Sequence, residues 1–405
     1  MAEKRSKNRA ASSGGKKKTV GGAASKGKPS ASEGKGPAIV SKYGRRGPFA
    51  VNVEPDWEAF IADIRREGTP RRVHFIELFL DVEVENEVCR RYGVDKKLDR
   101  NDPYFDLKRQ IAIQRFLGYD YVRACPGNMD MPTKGMVAAD TAELARSGGR
   151  KFMEEHKGPI TNMEEFHAYP WPDPAKATFR AFEWYEKNLP DDMCVIASGT
   201  AHFAEYLSWL MGYETLCYAL TDQRDLVRAI TDRLTEMYRQ LIPKMLSFKR
   251  VKALWGSDDM GYRSGTMMHP RDMKEFVLPG HKMAAAMAHD AGVPYLLHSC
   301  GNLKAILEDL IEDVKVDARH SFEDTIEMVT DAKRTYGHRM TLLGGIDVDF
   351  LCRSDEKAVR ARVRKTLETC MPGGWYCLGT GNSVANYIPF DNYIAMLDEG
   401  RRFAG

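Results

Sequence analysis

Pro294-Tyr295-Leu296-Leu297-His298-Ser299-Cys300-Gly301 is the stretch on which the fold turns. Its apolar half reads as a short strand buried on both faces, the signature of a parallel sheet covered by helices. Side chains two apart on a strand point the same way, so His298 and Cys300 can reach one point in space. An imidazole and a thiolate converging at a strand end make half of a zinc site. Glu323, at the end of the next strand-like run, can add a hard oxygen ligand. An isolated His-x-Cys is most often a buried pair without metal, so its position in the fold has to decide.

That position comes from the surrounding periodicity. Eight short apolar runs follow one another at Val73–Phe79, Tyr119–Cys125, Cys194–Gly199, Ala253–Asp258, Pro294–Cys300, Val316–Phe322, Met340–Ile346 and Trp375–Gly379. Amphipathic stretches with helical spacing lie between most of them, including Asp222–Phe248, Pro270–Ala291, Leu303–Glu312 and Glu356–Cys370. Asp222 and Ser354 stand where helix-opening caps are expected. Eight strand–helix alternations predict an α/β protein, a (β/α)8 TIM barrel. A doubly wound sheet is the competing arrangement, but no G-x-G-x-x-G follows an early strand. The Pro- and Gly-rich segment between Pro126 and Asp192 is expected as an insertion after strand two, placed to cover the barrel mouth.

The formal charge of +3 over 405 residues hides a division. Residues 1–47 hold thirteen Lys and Arg against Glu3 and Glu33, so this segment is strongly basic and residues 48–405 are mildly acidic. With almost no large apolar side chain, the segment 1–47 is expected to be a disordered, dispensable tail ahead of a single barrel domain. A polyanion, nucleic acid included, is expected to be engaged only through Lys16-Lys17-Lys18 of this tail, if at all. Eight scattered cysteines without a secretory signal suggest reduced thiols and a cytoplasmic location. No apolar stretch approaches the roughly 18 residues that span a bilayer.

Barrel active sites lie at the C-terminal ends of the strands. Those ends read Glu77, Arg123, Thr200 with His202, Asp258-Asp259, His298 with Cys300, Glu323, Asp347 and Asn382. Polar loops are ordinary, but apolar strands giving way to Asp, His, Cys and Glu at one rim are not. Asp258, Asp259 and Asp347 are candidate acid/base or orienting groups. For each the competing role is a strand-end cap, or an ion pair with Arg263 or Arg319. Tyr262, Trp209 and Tyr376 are expected to be rim packing.

The stretches Trp255-Gly256-Ser257-Asp258-Asp259-Met260-Gly261, His298–Asn302, Leu343–Val348, Gly373-Gly374-Trp375-Tyr376 and Gly381-Asn382-Ser383-Val384 together resemble the uroporphyrinogen decarboxylase superfamily. That superfamily holds cofactor-free decarboxylases of a tetrapyrrole and zinc-dependent methyltransferases that work with corrinoid proteins. The decarboxylases resemble one another in an early M-R-Q-A-G-R-Y grip, an F-S-D-I motif and a late L-G-H-G. Here these places read Val73–Phe79, Tyr121–Cys125 and Leu378-Gly379-Thr380-Gly381, so the arginine pair, the aspartate and the histidine are missing. A tyrosine after strand three has a counterpart in Tyr206.

The resemblance to the methyltransferases is better. It implies zinc on His298 and Cys300, and Glu323 matches a ligand of the zinc-type methionine synthases. Their last ligand, a cysteine on strand eight, falls on Asn382, with Cys377 five residues earlier as a possible substitute. It further implies a small methylated substrate, bound by rim residues such as Glu77, Arg123, His202, Tyr206 and Asn382. A corrinoid-carrying partner protein or a thiol would exchange the methyl group. A catalytically silent binding protein is the remaining class, disfavoured by the intact rim. The chain is therefore expected to form no coproporphyrinogen from uroporphyrinogen at enzymatic rates, on the order of 1–1000 per second. Product analysis with purified protein checks this.

Overall fold

The computed structural model describes residues 47–403, so the expectations for the basic tail lie outside the described residues. Eight strands make one parallel sheet: β1 His74–Phe75, β2 Tyr121–Ala124, β3 Cys194–Thr200, β4 Val251–Ser257, β5 Tyr295–His298, β6 Ala318–His320, β7 Thr341–Leu343 and β8 Tyr376–Leu378. Each of the eight apolar runs overlaps one of them, six enclosing the strand completely. Their spatial order is β1-β8-β7-β6-β5-β4-β3-β2, so neighbours in sequence are neighbours in space throughout. The two ends of this order share no ladder among the described residues but meet through side chains. The Tyr121 hydroxyl accepts from the Glu77 N–H at 2.9 Å and donates to the Glu77 carbonyl at 3.0 Å. His74 Nδ1 and Asp120 Oδ2, beside them, are 2.8 Å apart. A curled sheet of this order is consistent with a TIM-like barrel.

The strands are buried along nearly their whole length because helices pack outside and side chains fill the interior. Helix α1, Arg224–Leu246, shows why the sequence reads as helical. Leu226, Val227, Ile230, Leu234, Met237, Leu241, Ile242 and Met245 recur at three and four residues and face the core. Asp222 does not open this helix; it ends the preceding one, Tyr213–Asp222, and Gln223 takes the N-cap place. Helix α2, Glu356–Cys370, is capped by Asp355, which accepts from the Ala358 N–H at 2.8 Å, while Ser354 closes the helix before it. In both places the true boundary sits one residue along from the expected one, within the usual slack of helix ends.

The segment between β2 and β3 holds an antiparallel hairpin of Gly135–Ala138 with Arg150–Met153, then helices Met163–Ala168 and Arg180–Asn188. At the opposite, N-terminal side, helix Trp57–Ile64 is opened by Asp56, which accepts from the Ala59 N–H at 3.0 Å. Its Asp63 accepts from the Trp375 N–H at 2.5 Å and lies 3.9 Å from Cys377 Sγ. Among the described residues no helix is long and apolar enough to cross a membrane.

Gly379 shows how closely β8 fits β1. A Cβ there would stand 1.9 Å from the Ile76 carbonyl oxygen, and the Ile76 N–H already donates to Leu378 O at 2.9 Å. Gly379→Ala must part the two strands. A loss of about 2–4 kcal/mol is expected from the midpoint of denaturant unfolding.

Candidate functional site

His298 ends β5, and the chain then turns sharply through Ser299, Cys300 and Gly301. Gly301 has φ +87°, and a Cβ on it would lie 2.1 Å from the Gly261 carbonyl carbon, so only glycine lets this turn press against the β4 loop. Three further bonds tie the two segments. The Met260 N–H donates to Ser299 Oγ at 3.1 Å, the Cys300 N–H to Asp259 Oδ1 at 3.2 Å, and the Asn302 N–H to Tyr262 O at 2.8 Å.

This clamp brings a carboxylate to the His-x-Cys pair. Asp259 Oδ1 is 3.6 Å from His298 Nε2, and Cys300 Sγ is 3.4 Å from the same nitrogen. Donor atoms of Asp259, His298 and Cys300 all lie within 4.8 Å of one another, the one such cluster among the described residues. Asp259 was expected as an acid/base group; the structure brings it into the place foreseen for Glu323. Glu323 is half-buried nearby, its pKa raised by burial and by the Asp347 and Asp259 carboxylates. Cys377 is buried on the far side beside Asp63 and faces away from the cluster.

Other groups orient the cluster. His298 Nδ1 is 2.8 Å from His320 Nδ1, its register partner on β6, which leaves Nε2 for the cluster. His320 is fully buried, and burial, His298 and Arg123 hold its pKa well below the usual range, so it is neutral. Asn382 donates from Nδ2 to Cys300 Sγ at 3.1 Å; its Oδ1 accepts the Ser383 N–H at 2.8 Å, which fixes the amide that way round. The Ser321 hydroxyl approaches the same sulfur at 3.7 Å. Burial raises the Cys300 pKa and the Asp259 charge adds to it, against the donors Ser321 and Asn382. For Asp259, burial raises the pKa but its bonds to His298 and Cys300 win, leaving it at about 2.

The remaining candidates divide by what already occupies them. Asp258 is fully buried and accepts from the N–H groups of Ala204 (2.9 Å) and Glu205 (2.8 Å), opening helix Ala204–Met211, and it holds His281 Nε2 at 2.9 Å. Asp347 opens helix Val348–Arg353 by accepting from Phe350 N–H at 2.8 Å, and also takes the Asp324 N–H at 2.9 Å. Both act as caps, and Arg319 pairs with Glu327 rather than with either. His202 Nδ1 lies 2.5 Å from Glu205 Oε2, and Tyr206 stands edge-on to His202 with ring centroids 5.9 Å apart. Burial raises the Glu205 pKa to about 7; His202 opposes this, while Asp259 and Asp258 add to it. Glu205 and His320 went unassigned in the sequence. The three-residue spacing from His202 was the available signal for Glu205, and the shared register of β5 and β6 for His320.

Glu77 is buried against the loop that carries Asn382. Its Oε1 accepts the Thr380 N–H at 2.8 Å, and its Oε2 lies 2.5 Å from Thr380 Oγ1, which is itself 2.8 Å from Asn382 O. One hydroxyl has one proton, so both Thr380 contacts are satisfied only when Glu77 carries a proton and donates to Oγ1. Burial pushes the Glu77 pKa to about 8 despite Thr380, in agreement with that count.

The sequence model of the uroporphyrinogen decarboxylase (URO-D) family matches residues 153–403, and the chain belongs to this family. A search of curated protein sequences returns no match. Among solved structures, a methyltransferase from Methanosarcina mazei is similar over 86% of this chain and 98% of its own, at 17% identity and TM-score 0.61. That likeness is one of fold. A protein assigned as a vitamin-B12-independent methionine synthase from Listeria monocytogenes covers 88% of this chain and 100% of its own, at 12% identity and TM-score 0.44. This second likeness is too loose to bear on function.

Glu77 supplies a pH test. Its folded pKa of about 8 stands above the ordinary 4.5, so the folded state holds this proton longer. Stability from this group is complete at low pH and is lost as pH rises from about 4.5 to about 8. Glu77→Gln keeps both Thr380 contacts without a titrating proton. Denaturant midpoints measured from pH 5 to 9 are expected to show a flatter decline in the variant.

Proposed function

We propose that this URO-D family enzyme is a zinc-dependent methyltransferase acting on a small methylated substrate, with a corrinoid protein or a thiol on the other side of the exchange. The observation that carries the reading is the convergence of Asp259, His298 and Cys300 at the C-terminal rim of the sheet. One oxygen, one nitrogen and one sulfur donor suit zinc, and the sulfur disfavours magnesium or calcium. Three protein donors leave room for a fourth, exchangeable ligand, as catalytic zinc requires. When bound, zinc would supply Lewis acidity, easing deprotonation of a thiol or polarising the atom that bears the methyl group.

The protein residues around the cluster have distinct tasks. His320 fixes the His298 ring, as outer partners of ligating histidines do. Asn382 and Ser321 aim hydrogen-bond donors at Cys300, which favours its charged form. Asp258 holds the start of helix Ala204–Met211, and through it the His202–Glu205 pair. Glu205, with its pKa near 7, is matched to taking or giving a proton near neutral pH. Decarboxylation, the reaction in the family's name, lacks in this chain the arginine grip, the aspartate and the late histidine that the decarboxylases share.

Metal analysis tests the proposal. Protein purified without chelator is expected to carry about one zinc per chain. His298→Ala and Cys300→Ala are expected to lose the zinc, and Asp259→Asn to weaken it about 10–100-fold in a chelator competition. Glu323→Gln is expected to keep it. Wild-type protein that transfers methyl groups with no bound metal would sink this mechanism.

A further inference from the structure

Arg123 is the next-to-last residue of β2 and points into the barrel. Its guanidinium carbon lies 5.5 Å from the Trp255 ring centroid, and Trp255 stands edge-on to His320 at 5.5 Å. Its charge bears on both His202 and His320, which places it between the rim pair and the groups behind the cluster. Among the described residues it has no acceptor. Its Nε is shut off from solvent with no hydrogen-bond partner, yet the residue as a whole keeps part of its surface open.

Among the described residues four other arginines have a buried Nε without a partner, and three of them, Arg319, Arg362 and Arg401, find acceptors through the rest of the guanidinium. Arg319 binds Glu327 at 2.9 Å, Arg360 binds Asp398 at 2.8 Å, and Arg401 donates to the Val51 and Phe116 carbonyls. The acids of this part of the rim are committed to other partners. Asp258 serves two N–H groups and His281, Glu205 serves His202, and Asp259 faces His298 and Cys300. A guanidinium stays protonated. Leaving such a charge partly buried and unpaired costs stability. A cost of that kind persists at a site where something else supplies the missing anion.

We propose that Arg123 is the receptor for a carboxylate on the substrate, so that the enzyme acts on methylated carboxylic acids. A planar fork of donors matches a carboxylate in two parallel bonds. A phosphate dianion suits the place less well, because the carboxylates Glu205 and Asp258 act on the same His202 as Arg123 does. The proposal rests on the methyl-transfer reading for the methyl group alone; the anion site rests on Arg123.

The test uses the full chain treated with chelator, so that zinc plays no part, and benzoate and benzamide as probes of equal shape. Calorimetric titration is expected to give a dissociation constant at least ten-fold lower for benzoate. Arg123→Met is expected to abolish that preference and to melt no lower than wild type, since it removes an unpaired charge. Arg123→Lys is expected to keep part of the preference. Equal affinity for both probes, including no measurable binding of either, would overturn the proposal. So would a preference that survives Arg123→Met, or a lower melting temperature in that variant. Because zinc is absent, this result and the metal analysis fail independently.

Discussion

The register of β5 against its two neighbours decides what the rim can do. Parallel pairing sets His298 opposite Ser257 on β4 and opposite His320 on β6. The first match brings Asp258 and Asp259 beside the Ser299–Gly301 turn; the second gives His298 Nδ1 its partner. A slip of one residue would turn His298 and His320 to opposite faces and separate the three donors. The ladder hydrogen bonds and the apolar strand interiors hold that register, so core packing and site geometry are one constraint here.

Around that register the chain arranges a graded set of polar groups. Asp258 and Asp347 are spent largely on backbone N–H groups and so tie the β4 end to the helix that follows β3, and the β7 end to the helix that follows it. Glu77 acts at one remove, through Thr380 and the Asn382 carbonyl, on the loop whose amide touches Cys300. Its protonated state is what lets Thr380 serve both neighbours. Each of these groups is buried, and each has its hydrogen-bonding capacity met, which is the condition under which buried polar networks add rigidity rather than cost stability.

The fold was legible because its signal is long-range and repetitive. Eight apolar runs with helical spacing between them leave few arrangements open, and each run overlaps one strand. Helix starts were less legible, since Asp222 and Ser354 look like caps as much as the true ones do. The nearness of His298 and Cys300 was legible because the two are one residue apart at a strand end, although Cys300 lies in the turn and not on the strand. Which carboxylate stands beside them was not legible, since that depends on which loop is pressed against which. Asp259 and Glu323 both follow strands flanking β5, and nothing local in the sequence says that Gly301 lets the β4 loop come closer. Cys377 illustrates the same limit, because its five-residue distance from Asn382 does not reveal that it faces Asp63.

Asn382 bears on how the donor set should be understood. In the methyltransferases that this chain resembles, a cysteine at that place adds a second thiolate. Here an amide, fixed by Ser383, donates to the one thiolate that remains. In the proposed zinc site the third donor is the carboxylate of Asp259, a hard ligand in place of a soft one. Asp259 keeps 45% of its side-chain surface open, so the oxygen side of the cluster is the more open one beside the buried His298. An incoming ligand therefore meets the carboxylate first, while Cys300 is shielded by Asn382 and Ser321. Arg123 lies across Trp255 from His320, and its charge acts on His202 and His320. Separated charges of both signs at the rim would orient the proposed substrate, an acid whose methylated end is neutral.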